Sequence, residues 1–382
     1  MFPLQDFPLL FQALIALPFG LVIGSFLNVV IYRVPRGESV AFPASHCGSC
    51  GAPVKPYDNI PVLSYLILRG KCRACKAPFS WRYPLVELFV GLLFFALAYR
   101  HGLTWMTVAE MILVTIIVSL IFIDAEHLLL PDVITYPALL FAVIAITTIT
   151  YLNFANGIQV FPIQAWLPDV FVTTSIPQWV GWIGIACAVP ALWFVDKLEN
   201  ILFGKYHEFV EEEETEEEKT FNLCWEQKTK RMIRSTMIVG VMAQIIWWIA
   251  YAKIPQAVPA DSSASFYVSF SLLQSLIGAL VGGGALWVFR AAFFYLRGIE
   301  GMGLGDIKLM AFVGAFLGWQ LVLLVFLFGT LLGTVIGGVA AIVNRQGMKF
   351  RFPFGLPLGI STILVLFYGQ TILHWYLGLF PH

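Results

Sequence analysis

The sequence predicts an all-α polytopic membrane protein with about ten transmembrane helices. Of its 382 residues, 59% are hydrophobic and 12% are charged, whereas a soluble domain has about 45–50% and about 25%. Mean hydropathy is +0.82, and several stretches approach the ~20 apolar residues that a membrane-crossing helix needs. This composition excludes disordered, collagenous and disulfide-rich secreted chains. The 23 basic and 23 acidic residues balance, so nothing suggests nucleic acid as a partner.

The apolar stretches give the predicted helices in chain order. The first seven are 7–32, 85–99, 104–123, 133–152, 178–195, 237–252 and 266–289. The uncharged run 310–343 has 34 residues, which is too long for one span, so we expect two helices separated at Gly318-Trp319-Gln320. A last helix covers 356–380. Because the first segment is too long for a signal-peptide core, we interpret it as a retained helix.

The distribution of lysine and arginine predicts the orientation. Eight basic residues lie between 33 and 82, and the later connections alternate between poor and rich in basic residues. Basic residues near helix ends are retained in the cytoplasm. We therefore expect 33–84 to be cytoplasmic and both termini to lie on the opposite side.

Four cysteines in this loop form two pairs, Cys47-x2-Cys50 and Cys72-x2-Cys75, with 21 residues between them. Two such pairs at about this spacing are typical of a tetrahedral zinc site. Disulfides are the alternative, but they rarely persist in a reducing cytoplasm. Four sulfur ligands leave no open position, so the ion is predicted to fold a small zinc-binding loop domain rather than to take part in chemistry.

Two aspartates are predicted at the cytoplasmic boundary. Asp124 directly follows the span 104–123, and Asp306 follows the run Gly301-Met-Gly303-Leu-Gly305 at the start of a helix. Ionisable groups at membrane depth are functional candidates by default. Two carboxylates brought together share a proton, as in aspartic proteases, where one activates water and the other polarises the scissile carbonyl. The glycines leave room for a substrate backbone. Sequence separation does not establish the pairing, and either aspartate alone is also compatible with a boundary anchor.

Together these features resemble the bacterial type IV prepilin peptidase family over about residues 20–140 and 270–360. The resemblance rests on Gly24-Ser-Phe-Leu-Asn28-Val-Val-Ile-Tyr-Arg33, both cysteine pairs, Asn59-Ile-Pro-Val-Leu-Ser-Tyr65, Arg82-Tyr-Pro-Leu-Val-Glu87-Leu, Ile123-Asp124 through Leu130-Pro131-Asp132, and Gly301-Met-Gly-Leu-Gly-Asp306. It implies an inner-membrane aspartic peptidase, embedded in lipid, whose active site and zinc loop face the cytoplasm. The implied substrates are type IV prepilins and type II secretion pseudopilins, and the implied catalytic pair is Asp124 and Asp306.

The resemblance also implies methylation of the new N-terminal residue with S-adenosylmethionine as methyl donor. No dinucleotide-type signature of a soluble methyl-donor site is present. The resemblance points instead to Gly70 and Lys71, although Gly70 could serve only to turn the chain. Asp132 competes with Asp124 for the first catalytic position, but it can equally cap the next helix. We expect Glu87, which lies just inside a span after Arg82, to have a structural role in an interfacial ion pair.

The family usually has eight helices, and about 120 extra residues here add two more. The chain then divides into five parts. Residues 1–32 form the first transmembrane helix, 33–84 the zinc-binding loop with a methyltransferase region, and 85–152 the helices that carry the first aspartate. Residues 153–268 form the insertion, and 269–382 form the helices that carry Gly-x-Gly-Asp. The insertion contains the acidic run 211–218, either a solvated segment or a docking site for basic leaders.

Two other functions stay open. Another Gly-x-Gly-Asp intramembrane protease, such as a presenilin or signal-peptide-peptidase relative, would lack the four-cysteine loop. A proton-coupled secondary transporter would predict internal repeats, which this sequence does not show.

Overall fold

The computed structural model describes residues 7–155, 262–297, 303–344 and 353–377. The predicted spans 178–195 and 237–252, the acidic run 211–218 and Gly301 lie outside these ranges. The described helices are α1 (Leu9–Arg33), α2 (Leu63–Ile67), α3 (Arg82–His101), α4 (Trp105–His127), α5 (Asp132–Ala155), α6 (Ser262–Arg297), α7 (Leu304–Leu317), α8 (Trp319–Asn344) and α9 (Gly355–Leu377).

Seven of the described helices are long and apolar enough to cross a membrane. The expected break within 310–343 is confirmed, because α7 ends at Leu317, α8 begins at Trp319, and Gly318 between them has a φ of 86°. However, α7 has only 14 residues, about 21 Å at 1.5 Å per residue, so it is shorter than a full span. The prediction of a mainly helical membrane protein is confirmed, and the count of ten spans stays a prediction.

The chain forms two compact units, and the first contains Met1–Pro131 and Leu324–His382. In this unit α1 and α3 pack antiparallel through small residues, because a Cβ at Gly24 would lie 2.7 Å from the Glu87 Cα and one at Gly20 would lie 2.8 Å from the Gly91 Cα. Small residues at helix contacts are how membrane helices approach closely enough for van der Waals packing. At the far end of this pair, Gln12 Oε1 accepts a hydrogen bond of 2.5 Å from the Leu103 backbone N–H.

Helix α4 packs antiparallel to both α3 and α9 in the same unit. Arg82 at the start of α3 pairs with Glu126 near the end of α4. The Leu356 backbone N–H, in the first turn of α9, donates to Asp124 in the last turn of α4. The loop that follows α1, the end of α4 and the start of α9 therefore share one end of this unit.

The second unit, Asp132–Leu323, contains α5, α6, α7 and the first residues of α8. Gly278 of α6 and Gly314 of α7 lie backbone to backbone, and the Ser275 hydroxyl donates a bond of 2.7 Å to the Ala315 carbonyl. On the α5 side, the Phe141 and Phe316 rings stack with centroids 6.5 Å apart. These contacts pack α7, which carries Asp306, against both α5 and α6.

Candidate active site and metal centre

Asp124 is buried at the end of α4, with 5% of its surface exposed. Its Oδ2 accepts a hydrogen bond of 3.1 Å from the Leu356 backbone N–H. The first N–H groups of a helix have no partner within the helix and carry partial positive charge, so they stabilise a carboxylate. In the described part of the chain, Asp124 forms no ion pair, and its neighbours are backbone donors rather than basic side chains.

Gly355 makes this approach possible. A Cβ at this position would lie 2.8 Å from Asp124 Oδ2 and 3.2 Å from Leu130 Cδ1, so a larger residue would displace the carboxylate. Gly355 and Leu356 are not among the site residues predicted from the sequence. The available signal was the segment Pro353-Phe-Gly-Leu-Pro357, where a glycine stands at the first position of an apolar helix.

Asp306 lies in the first turn of α7 and is 7% exposed. Gly303 precedes this helix with an extended backbone (φ −72°, ψ 150°). A Cβ on Gly303 would lie 3.7 Å from Asp306 Oδ2, so Gly303 directly neighbours the carboxylate. The predicted pairing of Asp306 with Asp124, and the role of the Gly303 and Gly305 backbone, stay predictions.

Asp132 begins α5 and has a different environment. Both of its carboxylate oxygens accept from Lys308 Nζ, at 2.9 and 3.1 Å. The same ammonium lies 4.8 Å from the centroid of the Tyr136 ring, which adds a cation–π contact. Asp132 therefore joins α5 to α7 through an ion pair, whereas Asp124 is bonded to backbone donors.

The four loop cysteines come together. All four are free thiols, and their sulfur atoms lie within 4.8 Å of one another. Cys47 and Cys72 are buried, whereas Cys50 and Cys75 are exposed. The backbone N–H groups of Cys50 and Ser49 hydrogen-bond the Cys47 sulfur and lower the pKa of its thiol to about 6. Because the thiolate is the form that binds metal, this cluster could hold a metal ion.

Two equivalent turns present these sulfurs. The Cys47 N–H donates to the Ala52 carbonyl and the Cys72 N–H donates to the Ala77 carbonyl, both at 2.8 Å. The residue after each second cysteine adopts a left-handed conformation, Gly51 with a φ of 70° and Lys76 with a φ of 60°. The two Cys-x2-Cys segments thus fold into matching knuckles that aim four sulfurs at one point.

Gly70 has a steric and conformational role ahead of the second knuckle. Its φ is 67°, and a Cβ there would lie 2.8 Å from the Tyr65 hydroxyl oxygen. That hydroxyl donates a bond of 3.3 Å to the Phe79 carbonyl. Lys71 is exposed, and its backbone bridges to Pro78. The assignment of Gly70 and Lys71 to a methyl-donor site stays a prediction, while the turn itself explains the glycine.

Glu87 differs from the sequence-based expectation. Arg82 pairs with Glu126, and Glu87 forms no ion pair in the described part of the chain, so the expected interfacial ion pair of Glu87 is wrong. Glu87 Oε2 instead accepts a bond of 2.7 Å from the Val62 backbone N–H. Val62 has a φ of 60°, which is costly for a β-branched residue. The Glu87 carboxylate therefore holds a strained point of the loop between α1 and α3 against α3.

The fold and the site define a multi-pass helical membrane protein with buried carboxylates at helix ends and a four-cysteine loop. Residues 18–101 match the family model for the bacterial peptidase A24 N-terminal domain, and residues 233–338 match the type IV leader peptidase family. The prepilin leader peptidase/N-methyltransferase of Aeromonas hydrophila is 30% identical, with 97% of this chain and 95% of the relative covered. The chain belongs to this family, as its motifs indicate.

Other relatives carry the same name. The enzyme of Pseudomonas aeruginosa is 26% identical, with 98% of both chains covered. That of Myxococcus xanthus is 44% identical over 43% of this chain and 47% of its own length. No solved structure matches the chain at a significant level.

Proposed function

We propose that this protein removes the leader peptide of type IV prepilins and type II secretion pseudopilins and then methylates the new N-terminal amino group. The observation that carries this function is the similarity to the Aeromonas hydrophila prepilin leader peptidase/N-methyltransferase over nearly the full length of both chains. Family membership disfavours a proton-coupled transporter, and the four-cysteine loop disfavours a presenilin-type protease.

Asp124 and Asp306 act together as the catalytic pair for leader removal. One carboxylate takes a proton from water as the water oxygen attacks the scissile carbonyl, and the other protonates the carbonyl oxygen. The C–N bond then breaks, which leaves a carboxylate on the leader and an amine on the mature pilin. Support comes from the burial of both groups at helix ends and from the Leu356 N–H, which stabilises charge on Asp124.

The active site and the loop 33–84 face the cytoplasm from the inner membrane. Eight basic residues between 33 and 82 favour this orientation. Asp124 lies in the last turn of the 23-residue helix α4, about 30 Å along its axis from the first residue. A prepilin whose apolar helix lies in the bilayer and whose basic leader lies in the cytoplasm then presents its cleavage site at this depth.

Cys47, Cys50, Cys72 and Cys75 hold one zinc ion with a structural role. Four sulfurs about 2.3 Å from a tetrahedral zinc lie about 3.8 Å from one another, and Cys47 Sγ lies 3.8 Å from Cys75 Sγ. The ion crosslinks two knuckles that have little core of their own. Gly70 and Lys71 belong to the same loop, which we assign to the methyltransferase reaction.

S-Adenosylmethionine supplies an electrophilic methyl group, which is transferred to the free amine that leader removal exposes. Methylation therefore follows cleavage, because the scissile amide nitrogen is a poor nucleophile until it becomes an amine. The loop and the end of α4 share one end of the first unit, which supports successive reactions on one substrate.

Purified protein in lipid nanodiscs, incubated with a prepilin, tests this function by mass spectrometry of the product. We expect leader release without S-adenosylmethionine and a further mass gain of one methyl group only when it is added. A product that retains its leader, or one that is cleaved but never methylated, would contradict the corresponding half of the proposal.

A further inference from the structure

A cavity of about 300 Å³ lies where the cytoplasmic half of α1 meets the loop. Its walls come from one face of α1, from residues 40–45 before the first knuckle, and from Asn59 and Pro61 between the knuckles. We propose that this cavity binds S-adenosylmethionine and that Arg33 holds the carboxylate of its amino-acid end. This inference rests on the proposed methyltransferase function and assigns a site to it.

Arg33 is the residue in this cavity that is suited to bind an anionic ligand. It ends α1, lines the cavity, and is only 7% exposed. Its guanidinium donates a bond of 3.0 Å to the Ser39 carbonyl and forms no ion pair with any carboxylate in the described part of the chain. Burying a charge is costly unless it is paired. A ligand carboxylate in the cavity could accept hydrogen bonds from the remaining N–H groups of the planar guanidinium.

The other walls fit the remaining parts of the same ligand. Phe26, Val29 and Pro43 form an apolar surface that suits the adenine ring, and Ser25 and Asn59 add hydrogen-bonding groups. The volume is at the lower end of the ~300–1,000 Å³ typical of small-molecule sites.

The charge behind the cavity also fits. The Glu87 carboxylate interacts with the Ser25 side chain, and Ser25 lines the cavity from the same helix, α1, that ends at Arg33. S-Adenosylmethionine carries a carboxylate together with an ammonium and a sulfonium. A site with one buried cation and a nearby anion complements this charge pattern better than it complements a phospholipid phosphate, which needs only the cation.

The location suits a transfer to the pilin amine. Segment 40–45 leads directly into Cys47, so the metal site fixes one wall of the cavity. Val62, next to the lining residue Pro61, is held by Glu87, so α3 fixes another. The transferred methyl leaves the sulfonium sulfur as a thioether, bonds to the amine nitrogen, and the displaced amine proton passes to water.

Equilibrium binding of S-adenosylhomocysteine to the protein in phosphatidylcholine nanodiscs tests the assignment. This product keeps the amino-acid end, whereas 5′-methylthioadenosine lacks it. We expect wild type to bind S-adenosylhomocysteine at least tenfold more tightly than 5′-methylthioadenosine. Arg33→Gln should remove most of that difference while leaving Kd for 5′-methylthioadenosine unchanged. Arg36→Gln is the matched control, because Arg36 is exposed and stacks over Tyr32 outside the cavity.

Leader cleavage by each variant reports whether the fold is intact, and Asn59→Leu is a second cavity variant should Arg33→Gln fail to fold. Equal wild-type affinity for the two nucleosides, or an Arg33→Gln Kd for S-adenosylhomocysteine equal to that of wild type, would overturn the assignment. The assignment would also be overturned if phosphatidylglycerol binding depended on Arg33 and nucleoside binding did not, because Arg33 would then hold a lipid headgroup. If wild type neither methylates nor binds, the methyltransferase function itself fails; if wild type does both normally and Arg33→Gln matches it, only the site assignment fails.

Discussion

The Asp124 carboxylate, in the last turn of α4, accepts a hydrogen bond of 3.1 Å from the backbone N–H of Leu356, at the start of α9. The two residues are separated by 232 positions in the chain. A helix N-terminus that donates to a carboxylate stabilises its charge and fixes its orientation. This contact makes the start of α9 part of the environment in which Asp124 acts, and it connects the far C-terminal helix to the first half of the protein.

Replacement of Asp124 or Asp306 by Asn should abolish leader removal. General acid–base groups contribute about 10²–10⁴-fold, so we expect each variant to lose at least about 100-fold in kcat, with the protein still in the membrane. Asp132→Asn is the matched control, because its carboxylate is engaged by Lys308 and the substitution should lower stability more than kcat. Full cleavage by Asp124→Asn, or complete loss in Asp132→Asn alone, would reverse the assignment. Quantitative mass spectrometry of the released leader gives the rates.

Gly355→Ala should impair leader removal through Asp124. The added methyl group would lie 2.8 Å from Asp124 Oδ2, so either the carboxylate or the start of α9 must move. Such overpacking costs about 1–3 kcal/mol, and we expect kcat to fall at least tenfold. Gly338→Ala on α8 is the control, because a Cβ there has nothing within 4 Å. Equal kcat for the two variants, with Tm measured in parallel, would show that Asp124 tolerates the displacement.

Metal content should follow the four cysteines. Elemental analysis of purified wild type is expected to give one zinc per chain, and Cys72→Ser should lose it, because the second knuckle then lacks a thiolate. The rate of methylation should fall more than the rate of leader removal, because the loop loses its fold while both aspartates lie in helices. Ser49→Ala, which changes a residue between two cysteines without removing a ligand, should retain zinc and both activities. If Cys72→Ser loses cleavage and methylation to the same extent, the metal supports the whole fold rather than the loop.

The sequence identifies the helices of the described part well, because charged or polar residues and glycine interrupt long apolar runs. The span predicted at 7–32 is Leu9–Arg33, and Gly318 separates two helices as expected. Contacts between distant segments could not be predicted in this way, because hydropathy carries no information about which helix faces Asp124. The expected ion pair of Glu87 failed for a local reason. Arg82 lies five positions earlier, whereas helix neighbours on one face are three or four apart.

Glu87→Ala should loosen the loop between α1 and α3. The bond from the Val62 N–H to Glu87 Oε2 is 2.7 Å, and hydrogen bonds to charged groups contribute about 1.5–3 kcal/mol. Without it, the Val62 N–H loses its acceptor while the positive φ of Val62 remains, so limited proteolysis within 57–71 should become faster by about tenfold. Glu87→Gln keeps an acceptor oxygen and should show a smaller effect, and Glu38→Ala, at an exposed loop position, should match wild type. Identical proteolysis rates for Glu87→Ala and wild type would show that the loop is held by its metal centre alone.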